Sequence, residues 1–156
     1  MSPAAKSKSV TPEIINRKAQ HDYEILLRFE AGIVLTGSEI KSLRDGKAGL
    51  GDSYAVFDGP QLLVRKMHIA AYAQASYLNH EPWRDRLLLL NKAELRKIHH
   101  RITEKGLALI PLRLFFSERG WAKLEIGLAR GRKSHDKRQA LKEKDLDRDQ
   151  QRETER

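Results

Sequence analysis

The chain has 156 residues, no cysteine and a formal net charge of +9, which fits one domain with tails and excludes both a disulfide framework and a thiolate metal site. No apolar run of about eighteen residues occurs, and the opening MSPAAKSKSV leads into no apolar stretch, so neither a membrane-spanning helix nor a secretory leader is expected and the reading is of a soluble cytoplasmic protein. A pI near 9.9 favours a polyanionic partner, because each phosphate neutralised by Lys or Arg releases a counterion. RNA, DNA and an anionic membrane all qualify; the membrane is the weakest of the three, since no segment joins a basic face to a broad apolar one.

Residues 1–11 are small, polar and without periodicity, and read as a flexible N-terminal arm. Thr11 as N-cap and Pro12 at the first helical position predict a short helix over TPEIINRKAQ. Tyr23, Ile25, Leu27 and Phe29 then alternate with Glu24, Arg28 and Glu30 as in a half-buried strand, and Gly32 is expected to bend or bulge it. Thr36 and Glu39 stand at capping-box spacing before a helix stopped by Gly46, with Ile40 and Leu43 inward and Lys41 and Arg44 outward.

SYAVF and QLLVRKMHI flank Asp58-Gly59-Pro60 and predict a hairpin. Residues 73–86 are polar and irregular and read as a long loop. Asn91 and Glu94 make a second cap pairing, Leu90 and Leu95 sit at staple positions, and Leu95, Ile98 and Ile102 form an apolar stripe that ends before Gly106: a helix. LALIPLRLFF, the SERG turn and WAKLEIGL predict a second hairpin, with Pro111 confined to an edge or a bulge. From residue 129 to 156 ten Lys and Arg stand against seven Asp and Glu, and Leu141 and Leu146 are the only large aliphatics. That composition cannot offset backbone entropy of about 1 to 2 kcal/mol per residue, so this tail is expected to be disordered until a partner orders it. The expected architecture is a mainly β domain over residues 12–128, a small antiparallel OB-like barrel with two or three short helices.

Catalytic, metal and cofactor constellations have no convincing spacing. His99 and His100 are adjacent on a helix and only His100 has a carboxylate, Glu104, at chelating distance along it, so no metal site is expected. GKAGLGDS has Ala48 where a phosphate loop needs Ser or Thr and Lys41 where it needs Gly, and Tyr54 stands where a dinucleotide fingerprint needs its third glycine. No cofactor is expected. A nuclease pairing His21 with another histidine and a Lys remains a rival, since the partners could meet in the fold. The basic groups cluster more tellingly: Lys41, Arg44 and Lys47 on one side of the short helix and its exit, Arg84 and Arg86 in the long loop, and Arg130, Arg132 and Lys133 leading out of the barrel. In ARGRKSHDKR five basic residues keep one acid and one histidine, a side chain able to stack on a base.

NRKAQHDY, FEAGIVLTGSEIKSLRDGKAGLGDSY, EPWRDRLLLLNKAEL and GLARGRKSHDKR, in that order over residues 16 to 138, resemble the SmpB (small protein B) family. The resemblance implies no enzyme but a tmRNA-binding protein of trans-translation, an OB-like barrel that binds the tRNA-like domain of tmRNA and enters stalled ribosomes with elongation factor Tu. Its partners would be tmRNA, the 30S ribosomal subunit and the 70S ribosome, the protein itself being a monomer. By position Glu30, Leu90 and Asn91 match residues that hold tmRNA, with Lys41, Arg44, Lys47 and Lys123 as phosphate contacts. Asn91 and Leu90 have the competing cap and staple roles, whereas a carboxylate at Glu30 makes sense on RNA mainly as an acceptor for a base or 2′-OH donor. His21, Gly131, His135, Asp136, Lys137 and Arg138 match positions at the decoding centre or in the empty mRNA channel.

Three departures from the family pattern stand out: Leu87 where Lys or Arg is expected, Leu146 and the QQRETER end in place of an aromatic and aliphatic tail, and Arg130 and Arg132 in place of Lys, which keeps charge and adds stacking ability. The rival binding reading is a general rRNA-binding or ribosomal OB-fold protein that uses the same face and tail without tmRNA.

Overall fold

The computed structural model describes residues 12–75 and 78–132; the expected arm over 1–11 and the tail from residue 133, with His135, Asp136, Lys137 and Arg138, lie outside the described residues. In chain order the elements are β1 (Ile14–Ile15), α1 (Arg17–Asp22), β2 (Tyr23–Ile33), α2 (Gly37–Arg44), β3 (Ala48–Gly49), β4 (Tyr54–Asp58), β5 (Gln61–Arg65), β6 (His68–Ile69), β7 (Arg86–Leu89), α3 (Lys92–Lys105), β8 (Ala108–Phe116) and β9 (Ala122–Gly131). The order β8-β4-β5-β7-β2-β9 closes through a β9–β8 pairing, so six antiparallel strands form a barrel. β4 meets β8 at Ala55–Leu109 and β1 takes the same edge farther along, at Ile14–Leu114. Closure leaves few open edges, which suits a small β domain that must not pair with other chains.

The barrel interior is hydrocarbon: Leu62, Val64, Leu114, Leu124, Ile126 and Leu128 are fully or almost fully buried, with Leu43 of α2 and Ile98 of α3 closing over them. Alternation in β2 places Glu24, Arg28 and Glu30 outside, as expected. Gly32, however, stays in the ladder, paired with both Leu89 and Lys123. The irregularity lies instead between Ile25 and Leu27, where Leu26 is an extra residue, 43% exposed. A Cβ at Gly32 would lie 3.4 Å from that of Leu89, at the edge of ordinary van der Waals contact.

The first helix is also displaced from the expected position. Ile14 and Ile15 are drawn into pairing with β8, and the cap is Asn16, whose Oδ1 accepts the Ala19 N–H at 3.1 Å while its Nδ2 donates to Pro111 O at 2.8 Å. Tertiary pairing thus overrides the Thr11-Pro12 signal, and α1 lies on the outside of the barrel over Ile110, Leu112 and Ala129. Gly127 lets this second, smaller core close, since a Cβ there would sit 2.9 Å from Ile25 Cγ2 and 3.0 Å from Leu112 Cδ1.

The two later cap signals form as expected, and so do both hairpins, the first with a shorter second strand. Thr36 and Glu39 make a reciprocal capping box, and Asn91 caps α3, which ends at Gly106 with φ 60°. Gly59-Pro60 turns β4 into β5, and the register shift between Pro111 and Arg113 gives Pro111 its bulge. QLLVRKMHI is not one strand: Lys66, at φ 58°, breaks it, and His68–Ile69 pairs with Ala48–Gly49 in a separate two-stranded sheet. The expected loop over 73–86 stops one residue early, because Arg86 opens β7 between β5 and β2. At the other end β9 continues to Gly131, past the composition break at residue 129.

Candidate nucleic-acid interface

The positions of the charged side chains follow from one buried ion pair that the sequence pattern does not reveal. Glu39 and Arg86 are both fully buried, and Arg86 Nε donates to Glu39 Oε2. Arg84 also donates to Glu39, at 2.6 Å, and Thr36 N–H donates to the same carboxylate at 2.9 Å. Burial pushes the Glu39 carboxyl up, but the hydrogen bonds from Arg84, Thr36 and Arg86 outweigh it and hold the group below the usual carboxylate range. Arg84 and Arg86, grouped with the surface cations by their place in sequence, are therefore clamps between α2 and the barrel: Arg86 has no exposed area and Arg84 gives a nitrogen to Glu39. An Arg beside Glu, Asp and a polar loop looks like surface in a sequence; only strand pairing carries this one inside.

With α2 held this way, Lys41, Arg44 and Lys47 project into solvent. The Lys41 ammonium lies 5.6 Å from the Tyr72 ring and the Arg44 guanidinium 5.8 Å from the Phe116 ring, so aromatic faces orient two of the three cations. Phe116 ends β8 and pairs with Ala122, and its neighbour Phe115 pairs with Lys123. Arg44 therefore stands beside the hairpin end that carries Lys123.

The β2–β9 ribbon separates the remaining residues into two groups. At one end Gly32 pairs with Lys123 and Glu30 with Glu125, so Glu30 and Lys123 are diagonal neighbours. The Gly32–Leu89 pair sets Glu30 two residues before it on one chain and Asn91 two residues after it on the other. Leu90 is half-buried against the barrel core, and Asn91 is exposed, its Oδ1 accepting the Glu94 N–H at 2.8 Å. Trp121, 69% exposed and immediately before β9, belongs to this end and was not singled out from sequence, although its place next to the SERG turn was a usable signal. Glu125, opposite Glu30, is bound by Arg28 and Arg113 at 2.9 and 3.0 Å, and toward the far end Glu24 binds Arg130 at 2.6 Å.

At the other end Tyr23 pairs with Gly131, and Arg132 N–H donates to Asp22 O at 2.9 Å. His21 lies there too, its Nδ1 hydrogen-bonded to Asp22 Oδ1 at 2.9 Å. Ten residue steps of β2 span roughly 33 Å. Glu30 and Lys123 are thus near one end of this ribbon, and His21 with the exit of residue 132 at the other. His21 Nε2 is buried with no hydrogen-bond partner among the described residues, a poor position from which to take a proton from an RNA hydroxyl. Among the described residues no group of three His, Asp or Glu side chains is arranged to hold a metal ion, and no helix is long and apolar enough to cross a membrane.

A barrel with a hydrocarbon interior, cations oriented on its helix and hairpin end, and a basic strand leading out of it defines a small OB-like barrel protein of the nucleic-acid-binding class. Comparison with known proteins places it more narrowly. The model of the SmpB protein family matches residues 13–156, and the chain belongs to that family. It is 46% identical over 153 residues to the SsrA-binding protein of Allorhizobium ampelinum, covering 97% of each chain. It is 50% identical over 139 residues to that of Cytophaga hutchinsonii, covering 89% of this chain and 91% of the other. A solved structure described as "tmRNA-SmpB: a journey to the center of the bacterial ribosome" matches with a TM-score of 0.68 at 47% identity, over 83% of this chain and 94% of that one.

Proposed function

We propose that this chain binds tmRNA and brings it to stalled ribosomes in trans-translation, in the cytoplasm, as a monomer and without making or breaking bonds. The tRNA-like domain of tmRNA is held at the ribbon end that carries Glu30 and Lys123, by Leu90 and Asn91 beside them and by Lys41, Arg44 and Lys47 on the phosphates. Glu30 acts as the acceptor for a base or 2′-OH donor. His21, Gly131, His135, Asp136, Lys137 and Arg138 face the decoding centre and the vacant mRNA channel on the small subunit, and elongation factor Tu accompanies the aminoacylated complex.

The observation that carries this reading is the separation of the two groups along one ribbon, in a chain this similar to SsrA-binding proteins. One ribbon can then hold a folded RNA at one end and meet the ribosome with the residues grouped at the other. The test is a competition gel shift of pure protein with tmRNA and bulk tRNA at physiological salt. Preference for tmRNA is expected; equal affinity would favour a general rRNA-binding protein. Neutralising Lys41, Arg44 and Lys47 should shrink the salt dependence by roughly 0.7 to 0.9 log units per lost phosphate contact.

A further inference from the structure

A groove of about 830 Å³ beside β6 is lined by Trp83, His68, Lys66, Arg65 and Gly49, and by none of the residues assigned above to tmRNA or the ribosome. Trp83 is 56% exposed, and its ring centroid lies 4.6 Å from that of His68 at an interplanar angle of 51°. The rings are tilted and not coplanar, so it is the exposed indole, packed against the imidazole, that offers its face as the platform on which a planar group can stack.

The platform is held from beneath. The buried guanidinium of Arg86 donates to Met67 O at 2.6 Å and to Pro82 O at 3.2 Å, the carbonyls immediately before His68 and Trp83. Ile69 N–H donates to Pro82 O at 3.0 Å, and Trp83 N–H to Glu81 Oε1 at 3.0 Å. His80 Nε2–H donates to Ile69 O at 2.9 Å, which leaves Nδ1 to accept the Ser38 hydroxyl at 2.8 Å. Both ring-bearing segments are thus tied to one buried charge, so little ordering is left for a ligand to impose.

Charge selects the ligand. Two acids line the groove, but Asp85 is bound by Arg65 at 3.3 Å and Asp52 by Lys18 at 2.6 Å. Lys66 has no hydrogen bond or close ion pair with another described residue, although its charge helps to hold the Asp52 carboxyl below the usual range from across the groove, and it is held at φ 58°, a backbone conformation that costs a non-glycine residue free energy. A stacking surface beside a cation that no close carboxylate holds is the combination that takes an unpaired base and its phosphate.

We propose that this groove receives one unstacked nucleobase of RNA on the Trp83–His68 platform, with the adjoining phosphate at Lys66. The proposal rests on the RNA-binding reading and adds to it a contact on a different part of the barrel. The test titrates the full chain and its W83F, W83L and K66Q variants with a labelled single-stranded oligoadenylate and, separately, with the folded tRNA-like domain of tmRNA. W83F, which keeps a π-face, should bind the oligonucleotide within about threefold of the unaltered protein, and W83L, apolar but without one, about five- to a hundredfold more weakly. K66Q should lower the salt slope by roughly 0.7 log units, one phosphate's share on a single strand. Equal oligonucleotide affinity of W83L and the unaltered protein overturns the platform while leaving the tmRNA reading intact. Failure of the unaltered protein to bind the tRNA-like domain overturns that reading instead.

Discussion

Replacing Arg86 by Met tests the central clamp. Arg86 and Glu39 have no exposed area, so the substitution strands a buried carboxylate, a change that usually costs about 3 to 5 kcal/mol. Two features of the structure set where in that range it falls. Arg84 still donates to Glu39 at 2.6 Å, which lowers the cost. Met67 O loses the Arg86 donor, whereas Pro82 O keeps the Ile69 N–H at 3.0 Å, so one orphaned carbonyl adds back about 1 kcal/mol. About 4 kcal/mol is therefore expected, a fall in Tm of roughly 8 to 16 °C for a chain of this size. Glu39→Gln, which retains the cap to Thr36 but leaves Arg86 charged and unpaired, should cost about as much. The double variant holds no unpaired buried charge and should lose far less than the sum of the two single losses, read by urea unfolding of the four proteins. If the two single losses simply add, to within about 0.5 kcal/mol, the pair is not coupled and the clamp argument fails.

The same carboxylate sets an acid limit. Because its folded pKa is depressed, Glu39 contributes stability that is present above the pKa of the unfolded chain, about 4.3, and lost as pH falls through the lower folded value. The Tm advantage of the unaltered protein over Glu39→Gln should therefore shrink below about pH 4; a constant gap down to about pH 3 would contradict it. Asn91→Ala should cost about 1 kcal/mol of stability through the lost cap, whereas Asn91→Asp keeps the cap. Loss of tmRNA affinity in the Asp variant at unchanged Tm would assign Asn91 to RNA as well as to α3, and retained affinity would leave it a cap alone. Gly127→Ala should destabilise by about 1 to 3 kcal/mol, since the new methyl overlaps Ile25 and Leu112, and an unchanged melting curve would show that this outer core can yield. Truncation after Arg132, which keeps the Tyr23–Gly131 pair and the Asp22 contact, should spare tmRNA binding and abolish ribosome rescue in a reconstituted translation assay; rescue by the shortened chain would remove the tail from the mechanism.

Local chemistry was legible in the sequence wherever a few neighbouring residues decide the outcome. The Thr36–Glu39 box, the Asn91 cap, the Gly59-Pro60 turn and the β2 alternation all rest on groups within a turn or two of one another, and each forms as expected. The net charge likewise pointed to a polyanion, because it depends on composition and not on fold. What tertiary structure decided was every position where a distant strand competes with a local signal. β8 captured Ile14 and Ile15 and moved the first cap to Asn16, and β5 and β2 enclosed Arg86 between them, turning an apparent surface cation into a buried clamp. Separation of Glu30 and Lys123 from His21 and Gly131 is likewise a fact of register, since those residues scatter over the whole chain and acquire an order in space only when the β2–β9 ladder forms.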